Sequence, residues 1–272
     1  AAALEADRIG YTLALGIPAL RQRIAAHYGD RYGLDVPDER IVVTTGSSTG
    51  FLLAFLSAFD VGDRVAMAVP GYPAYRNILQ ALGCDPVLLP VGPETRFQPT
   101  PALLDSVDDL AGVIVASPAN PTGTMLGAEE MAALADYCAG RGVRLVSDEI
   151  YHGIEFNARA VTAAADSPDA VVINSFSKYH SMTGWRLGWM VVPEDLLRPI
   201  ECLAQNFFIS APTLSQHAAV AAFDCGPELD ANVARYTPGD TVGLTLRALP
   251  GGPVVHILTA CAGVTPELGE RL

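Results

Sequence analysis

Between Ile41 and Val192 the chain alternates short β-branched or apolar runs with longer segments of helical spacing, and this alternation leaves few folds open. Strands are expected at Ile41 to Thr44, Arg64 to Ala68, Pro86 to Leu89, Gly112 to Ala116, Val143 to Ser147, Val171 to Asn174 and Leu187 to Val192. Helices are expected between them. Leu20, Ile24 and Tyr28 recur at helical spacing from about Pro18 to Tyr32, and further helices cover Phe51 to Phe59, Pro73 to Leu82 and Ala128 to Ala139. Glu194 to Gln205 and Pro212 to Phe223 read as two more, with prolines at first-turn positions. Short apolar strands joined by helices imply a mostly parallel sheet covered on both faces, a three-layer αβα arrangement of the α/β class. Beyond about Arg235 the pattern weakens, and Thr237 to Leu272 carries Pro238-Gly239 and Pro250-Gly251-Gly252-Pro253 with no long periodic element.

Charge narrows the function classes. The 17 basic against 30 acidic residues give a formal charge of −13, which argues against a nucleic-acid partner. No apolar run approaches the length of a membrane span, and the first residues lack a basic-then-apolar leader, so a cytoplasmic chain with no membrane association is expected. Cys84, Cys138, Cys202, Cys225 and Cys261 have no short paired spacing, and the five histidines form no metal-ligand grouping, so no metal is expected. A GxGxxG fingerprint after the first strand and an NTPase phosphate loop are both missing.

The segment Ser175-Phe176-Ser177-Lys178 through Gly184-Trp185-Arg186 sets a lysine between two hydroxyls, with an arginine eight residues on. That combination offers an amine for a Schiff base and a cationic, hydroxyl-rich nest for a phosphate, as pyridoxal 5'-phosphate requires. The bland alternative is a surface-loop lysine. Four further segments follow expected strands. Gly46-Ser47-Ser48 opens a helix, where amides and hydroxyls attract an anion or where a serine simply caps. Pro70-Gly71-Tyr72-Pro73-Ala74-Tyr75 is an aromatic loop or a plain proline-rich turn, with Tyr75 read as structural. Ser117-Pro118-Ala119-Asn120-Pro121-Thr122-Gly123 is a ligand loop or an ordinary turn. Ser147-Asp148-Glu149-Ile150-Tyr151 ends a strand with a carboxylate, which is either functional or half of a solvated pair.

In their order along the chain these segments resemble the class I/II aminotransferases of the fold type I pyridoxal-phosphate enzymes, over roughly Tyr11 to Phe223. The resemblance implies the large domain of that fold. It makes Lys178 the cofactor anchor and general base, and Asp148 the partner of the pyridine nitrogen, which turns the ring into an electron sink. It gives Asn120 and Tyr151 hydrogen bonds to the phenolic oxygen, and Tyr72 a stacking place on the ring. It assigns Ser47, Ser48, Ser175, Ser177 and Arg186 to the phosphate side, together with Tyr11 of the partner subunit. A homodimer with shared active sites follows from that last position. The implied reaction moves an amino group from an L-amino acid to a 2-oxo acid by a ping-pong route through a Lys178 aldimine.

By the same resemblance, residues 1–32 lead into the large domain, residues 33–212 form it, and residues 213–272 hold a linking helix and an incomplete small-domain portion. The family's small domain supplies an arginine for the substrate carboxylate. Arg247 and Arg271 sit in segments without the expected context, so the chain reads as incomplete. Two alternatives therefore stand beside transamination: a carbon–sulfur lyase or related elimination enzyme of the same fold, and a catalytically incomplete cofactor-binding fragment.

Overall fold

The computed structural model describes residues 2–7, 9–156 and 158–235, with the backbone of 248–249 and 252–253. Seven strands build the main sheet: β1 Ile41–Thr44, β2 Arg64–Val69, β3 Asp85–Pro90, β4 Leu110–Ala116, β5 Arg144–Asp148, β6 Val171–Ser175 and β7 Gly188–Val191. The helices are α1 Ala2–Glu5, α2 Pro18–Tyr32, α3 Ser47–Ala58, α4 Pro73–Ala81, α5 Pro101–Leu104, α6 Ala128–Arg141, α7 Glu194–Phe207, α8 Thr213–Ala222 and α9 Gly226–Val233. The short α1, α5 and α9 have no counterpart in the sequence reading; the other six and all seven strands do. The expected parallel α/β sheet is present.

Its strand order is β1-β7-β6-β5-β4-β2-β3, and only β7 runs against its neighbours. The other pairings, β2 with β3 and β4, β4 with β5, and β5 with β6, are parallel. Because β1 and β6 both pair antiparallel with β7, they run in one direction, and six strands end at a single edge of the sheet.

Alternate residues of each strand face opposite layers, as the pleat requires. Val113 and Val115 pack with Leu20, Ile24, Met131 and Leu134 of α2 and α6. Ile114, one residue out of phase, packs with Phe51, Phe55, Leu79 and Ile200 of α3, α4 and α7. All four or five residues of β1, β5 and β6 are buried except Arg144, which is partly exposed. Such strands read as continuous apolar runs because both faces are covered. α7 keeps Pro199 inside it, where an amide donor is lost; its apolar stripe, Leu196, Ile200 and Ala204, is buried all the same.

The chain divides into two compact units, Ala1–Asp230 and Ala231–Leu272. In the second, β8 Ala248–Leu249 pairs antiparallel with β9 Gly252–Pro253. Arg247 and Arg271 lie outside the described residues.

Candidate active site

The common edge of the sheet explains why residues more than a hundred positions apart meet. Ser47 and Ser48 follow β1, Tyr72 follows β2, Asn120 follows β4, Asp148 ends β5, and Ser175, Ser177 and Lys178 lie at or beyond the end of β6. Arg186 lies two residues ahead of β7. That antiparallel strand starts at the edge where the others finish, since Gly188 stands opposite both Thr44 and Ser175. Open α/β sheets bind ligands outside the carboxyl ends of their strands.

Asp148 is buried at this edge. One of its oxygens accepts the Tyr75 hydroxyl proton, and the other accepts the Ile150 amide at 3.0 Å. Burial pushes its pKa up to about 6, against the pull of those two donors and of the Lys178 charge. Lys178 lies in the turn beyond β6, closed by Ser181 N–H donating to its carbonyl at 2.9 Å. Its Nζ stands 5.3 Å from the centre of the Tyr151 ring. Tyr151 Oη in turn accepts a long 3.5 Å contact from Asn120 Nδ2. The other end of that amide, Oδ1, is buried with no hydrogen-bond partner among the described residues.

A second cluster forms around the start of α3. Neither serine caps this helix: the N-cap is Gly46, at φ 77°, with no side-chain bond to the first turn. The capping alternative for Ser47 and Ser48 is thereby ruled out, and the first-turn amides stay without a side-chain cap. A Cβ at Gly46 would run into the Arg186 guanidinium, so glycine serves both the left-handed backbone and the close approach of that cation. Gly188 answers a similar need, since a Cβ there would sit 2.8 Å from the Asn174 carbonyl and 2.9 Å from the Ser47 nitrogen. The Ser175 hydroxyl is buried and accepts the Ser177 amide at 3.0 Å, which shapes the turn leading to the lysine.

Tyr72 is 37 % exposed and meets the Tyr75 ring edge-on at 5.5 Å. Together with Met67, Pro70, Phe97 and Asn120 these two tyrosines line a cleft beside Asp148. Ser177 is half-buried, with its hydroxyl unbonded among the described residues. Tyr11 is 84 % exposed and makes no hydrogen bond, ion pair or ring contact among the described residues, so nothing there ties it to the other candidates.

Three residues escape a reading by motif. Tyr75, read from sequence as packing only, holds the Asp148 carboxylate. Phe97 reaches the cleft from a turn in which both Arg96 and Phe97 take positive φ, at 52° and 58°. Gln216, buried on α8, gathers the N-terminal stretch through Ile17 N–H at 2.8 Å and Thr12 Oγ1 at 2.9 Å. Only Tyr75 carries a sequence signal, its place three residues after Tyr72 in a helix that opens at the site.

Residues 2–237 match the family model described as aminotransferase class I and II. The chain belongs to this family. A curated relative, the valine–pyruvate aminotransferase of Mycobacterium tuberculosis, is 57 % identical over 241 residues, covering 87 % of this chain and 62 % of the relative. The aspartate aminotransferase of Geobacillus stearothermophilus is 34 % identical over 225 residues, covering 80 % and 57 %. Among solved structures, an aminotransferase from Mycobacterium tuberculosis superposes with a TM-score of 0.84 at 57 % identity, over 86 % of this chain and 65 % of that one. The sheet and its helices therefore correspond to the large domain of the fold type I aminotransferases. The chain spans about 62 % of the length of its valine–pyruvate relative. Among the described residues no helix is long and apolar enough to cross a membrane.

Proposed function

We propose that the edge of the sheet binds pyridoxal 5'-phosphate and that the protein transfers amino groups between an L-amino acid and a 2-oxo acid. The observation that carries this reading is the convergence of a lysine, a buried carboxylate and a side-chain amide donor at or just beyond the ends of β6, β5 and β4. Family membership supports it, and so does the chemistry of the donors. Asn120 offers an amide Nδ2 donor, held among the described residues only by a long 3.5 Å contact to Tyr151 Oη. Asp148, at about 6, is poised to ionise fully beside a pyridinium nitrogen, because an opposite charge lowers a buried acid's pKa. The uncapped amides of α3, the two serines and the Arg186 guanidinium make a phosphate cradle.

Bound there, the cofactor supplies an electron sink for negative charge at the substrate's α-carbon. The chain's own groups do the rest. Lys178 Nζ would hold the cofactor through its aldehyde carbon and, as a free amine, would be the base that moves the substrate's α-proton. Asp148 keeps the pyridine nitrogen protonated. Asn120 and Tyr151 donate to the phenolic oxygen, and Tyr72 restrains the ring by stacking. Two half-reactions complete a ping-pong cycle. The family resemblance would have Tyr11, exposed in this chain, reach the phosphate of a second copy in a homodimer with shared sites.

The name of the 57 % identical relative makes valine and pyruvate the first pair to test. Reconstituted with pyridoxal phosphate, the chain is expected to develop a visible absorbance band that Lys178→Ala abolishes. An unchanged spectrum in that variant refutes the anchor. Single-turnover mixing with valine, alanine, glutamate and aspartate is expected to convert the cofactor to its amine form. Release of pyruvate and ammonia from cystathionine, whose β-carbon carries a sulfur leaving group, without that conversion identifies an elimination enzyme instead.

A further inference from the structure

His152 has no part in the reading above, yet its buried ring joins the two segments that carry Asn120 and Tyr151. Its Nε2 lies 2.9 Å from the Ser117 carbonyl oxygen. A carbonyl only accepts, so Nε2 carries the proton. Its Nδ1 lies 2.6 Å from Tyr32 Oη and accepts that hydroxyl's proton, while Tyr32 Oη accepts from Arg31 Nε at 3.1 Å. These bonds select one neutral tautomer. Burial, with the Arg31 charge, holds the ring's pKa down to about 3 against the pull of the Ser117 bond, so neutrality persists through the working range. Glu149 Oε2 also faces it, 3.5 Å from Nδ1.

We infer that His152 is a positioning residue that fixes the spacing of Asn120 and Tyr151, an inference that rests on the cofactor reading proposed above. Ser117 stands between β4 and the loop bearing Asn120, and its N–H donates to the Asp148 carbonyl at 3.1 Å. The imidazole bonds the other side of the same peptide segment and belongs to the residue next to Tyr151. It thus closes the base of a wedge whose tips are Asn120 and Tyr151. Those tips are only weakly tied to each other, since 3.5 Å is at the limit of a hydrogen bond. Their separation is set by the short buried bonds beneath them.

The pH midpoint of the visible band in the cofactor-loaded 272-residue chain reads this spacing, because both tips favour the anionic phenolic oxygen and so lower the proton affinity of the coupled imine. His152→Ala is expected to form the band with its midpoint raised by about one pH unit. His152→Gln, whose amide reaches the Ser117 carbonyl, is expected to restore at least half of that shift. Tyr32→Phe deletes the hydroxyl that donates to Nδ1 and leaves the Ser117 bond in place; it is expected to raise the midpoint by a smaller amount and carries the test should His152→Ala not fold. In the cofactor-free chain, nitrogen NMR of labelled histidine is expected to show His152 protonated at Nε2 alone near neutral pH. An unchanged midpoint in the folded variants, or a Gln variant no better than Ala, overturns the positioning role and leaves the cofactor site standing. Wild-type protein that forms no band overturns both.

Discussion

The Tyr75 hydroxyl donates to the Asp148 carboxylate, and both side chains are buried. Tyr75 comes from the first turn of α4 and Asp148 from the end of β5, so the bond exists only once the α4 layer has packed on the sheet. Burial drives Asp148 toward its neutral form, and the tyrosine is foremost among the groups that oppose it. The phenol's own ionisation is pushed far upward by burial and by that carboxylate, which leaves it a donor at every physiological pH.

Tyr75→Phe removes this donor without changing ring packing against Phe51, 5.0 Å away. Loss of a hydrogen bond to a charged group costs about 1.5–3 kcal/mol where the group is ionised. Asp148 in the variant ionises at higher pH. Pyridoxal-phosphate affinity, measured by absorbance titration, is expected to fall most at about pH 6 to 7 and to recover toward about pH 8. Equal loss at every pH would refute the coupling.

Glu149 predicts a pH dependence of stability. It is fully buried between Ser147 Oγ at 3.1 Å and the Ala163 amide at 2.8 Å, and its second oxygen has no hydrogen-bond partner among the described residues. Burial pushes its pKa from 4.5 up to about 8. The folded chain therefore holds this proton more tightly than the unfolded chain. The stability it contributes is complete below pH 4.5 and is lost as pH rises to about 8. Glu149→Gln keeps the accepting oxygen and removes the titration. Its melting temperature is expected to match wild type near pH 4.5 and to exceed it by a margin that widens up to about pH 8, where the stability difference is on the order of 5 kcal/mol. A constant margin across this range would contradict the assignment.

Gln216 predicts a local effect. Its side chain accepts the Ile17 amide and donates to Thr12 Oγ1 and to the Ala211 carbonyl at 2.9 Å, all from a buried position on α8. Gln216→Leu leaves the Ile17 amide without its acceptor, a cost of about 1–3 kcal/mol. Thermal unfolding is expected to shift down accordingly, and limited proteolysis is expected to cut within residues 9–16 sooner than in wild type. Unaltered cleavage there would show that the stretch is held by other contacts.

The strands and the six long helices were legible because their signals are local: β-branched runs, helical periodicity and prolines at first turns. Some ends differ by a few residues, as when the strand expected at Gly112 to Ala116 begins at Leu110. The candidates at β1, β2, β4, β5 and β6 could be picked out for a different reason, since each stands in a motif at or just beyond a strand end, whereas Tyr11 precedes the sheet. Phe97, His152 and Gln216 carry no motif signal of their own, and the role of Tyr75 in its aromatic loop depends on a partner distant in sequence. Tyr32 meets His152 across 120 positions, and Gln216 meets Ile17 across 199.

The sequence by itself determined the layered α/β class, the family and which residue types stand at strand ends, because period and motif survive in one dimension. Only the tertiary structure decided that β7 runs backwards, bringing Arg186 to the edge where six strands finish and placing its guanidinium against Gly46. The same packing gave Asp148 and Glu149, neighbours in the chain, separate environments, the one braced by Tyr75 and the other facing His152. Strand direction and burial depend on which surfaces meet, and the free energy that selects them comes from apolar area shared between distant segments rather than from any short run of residues.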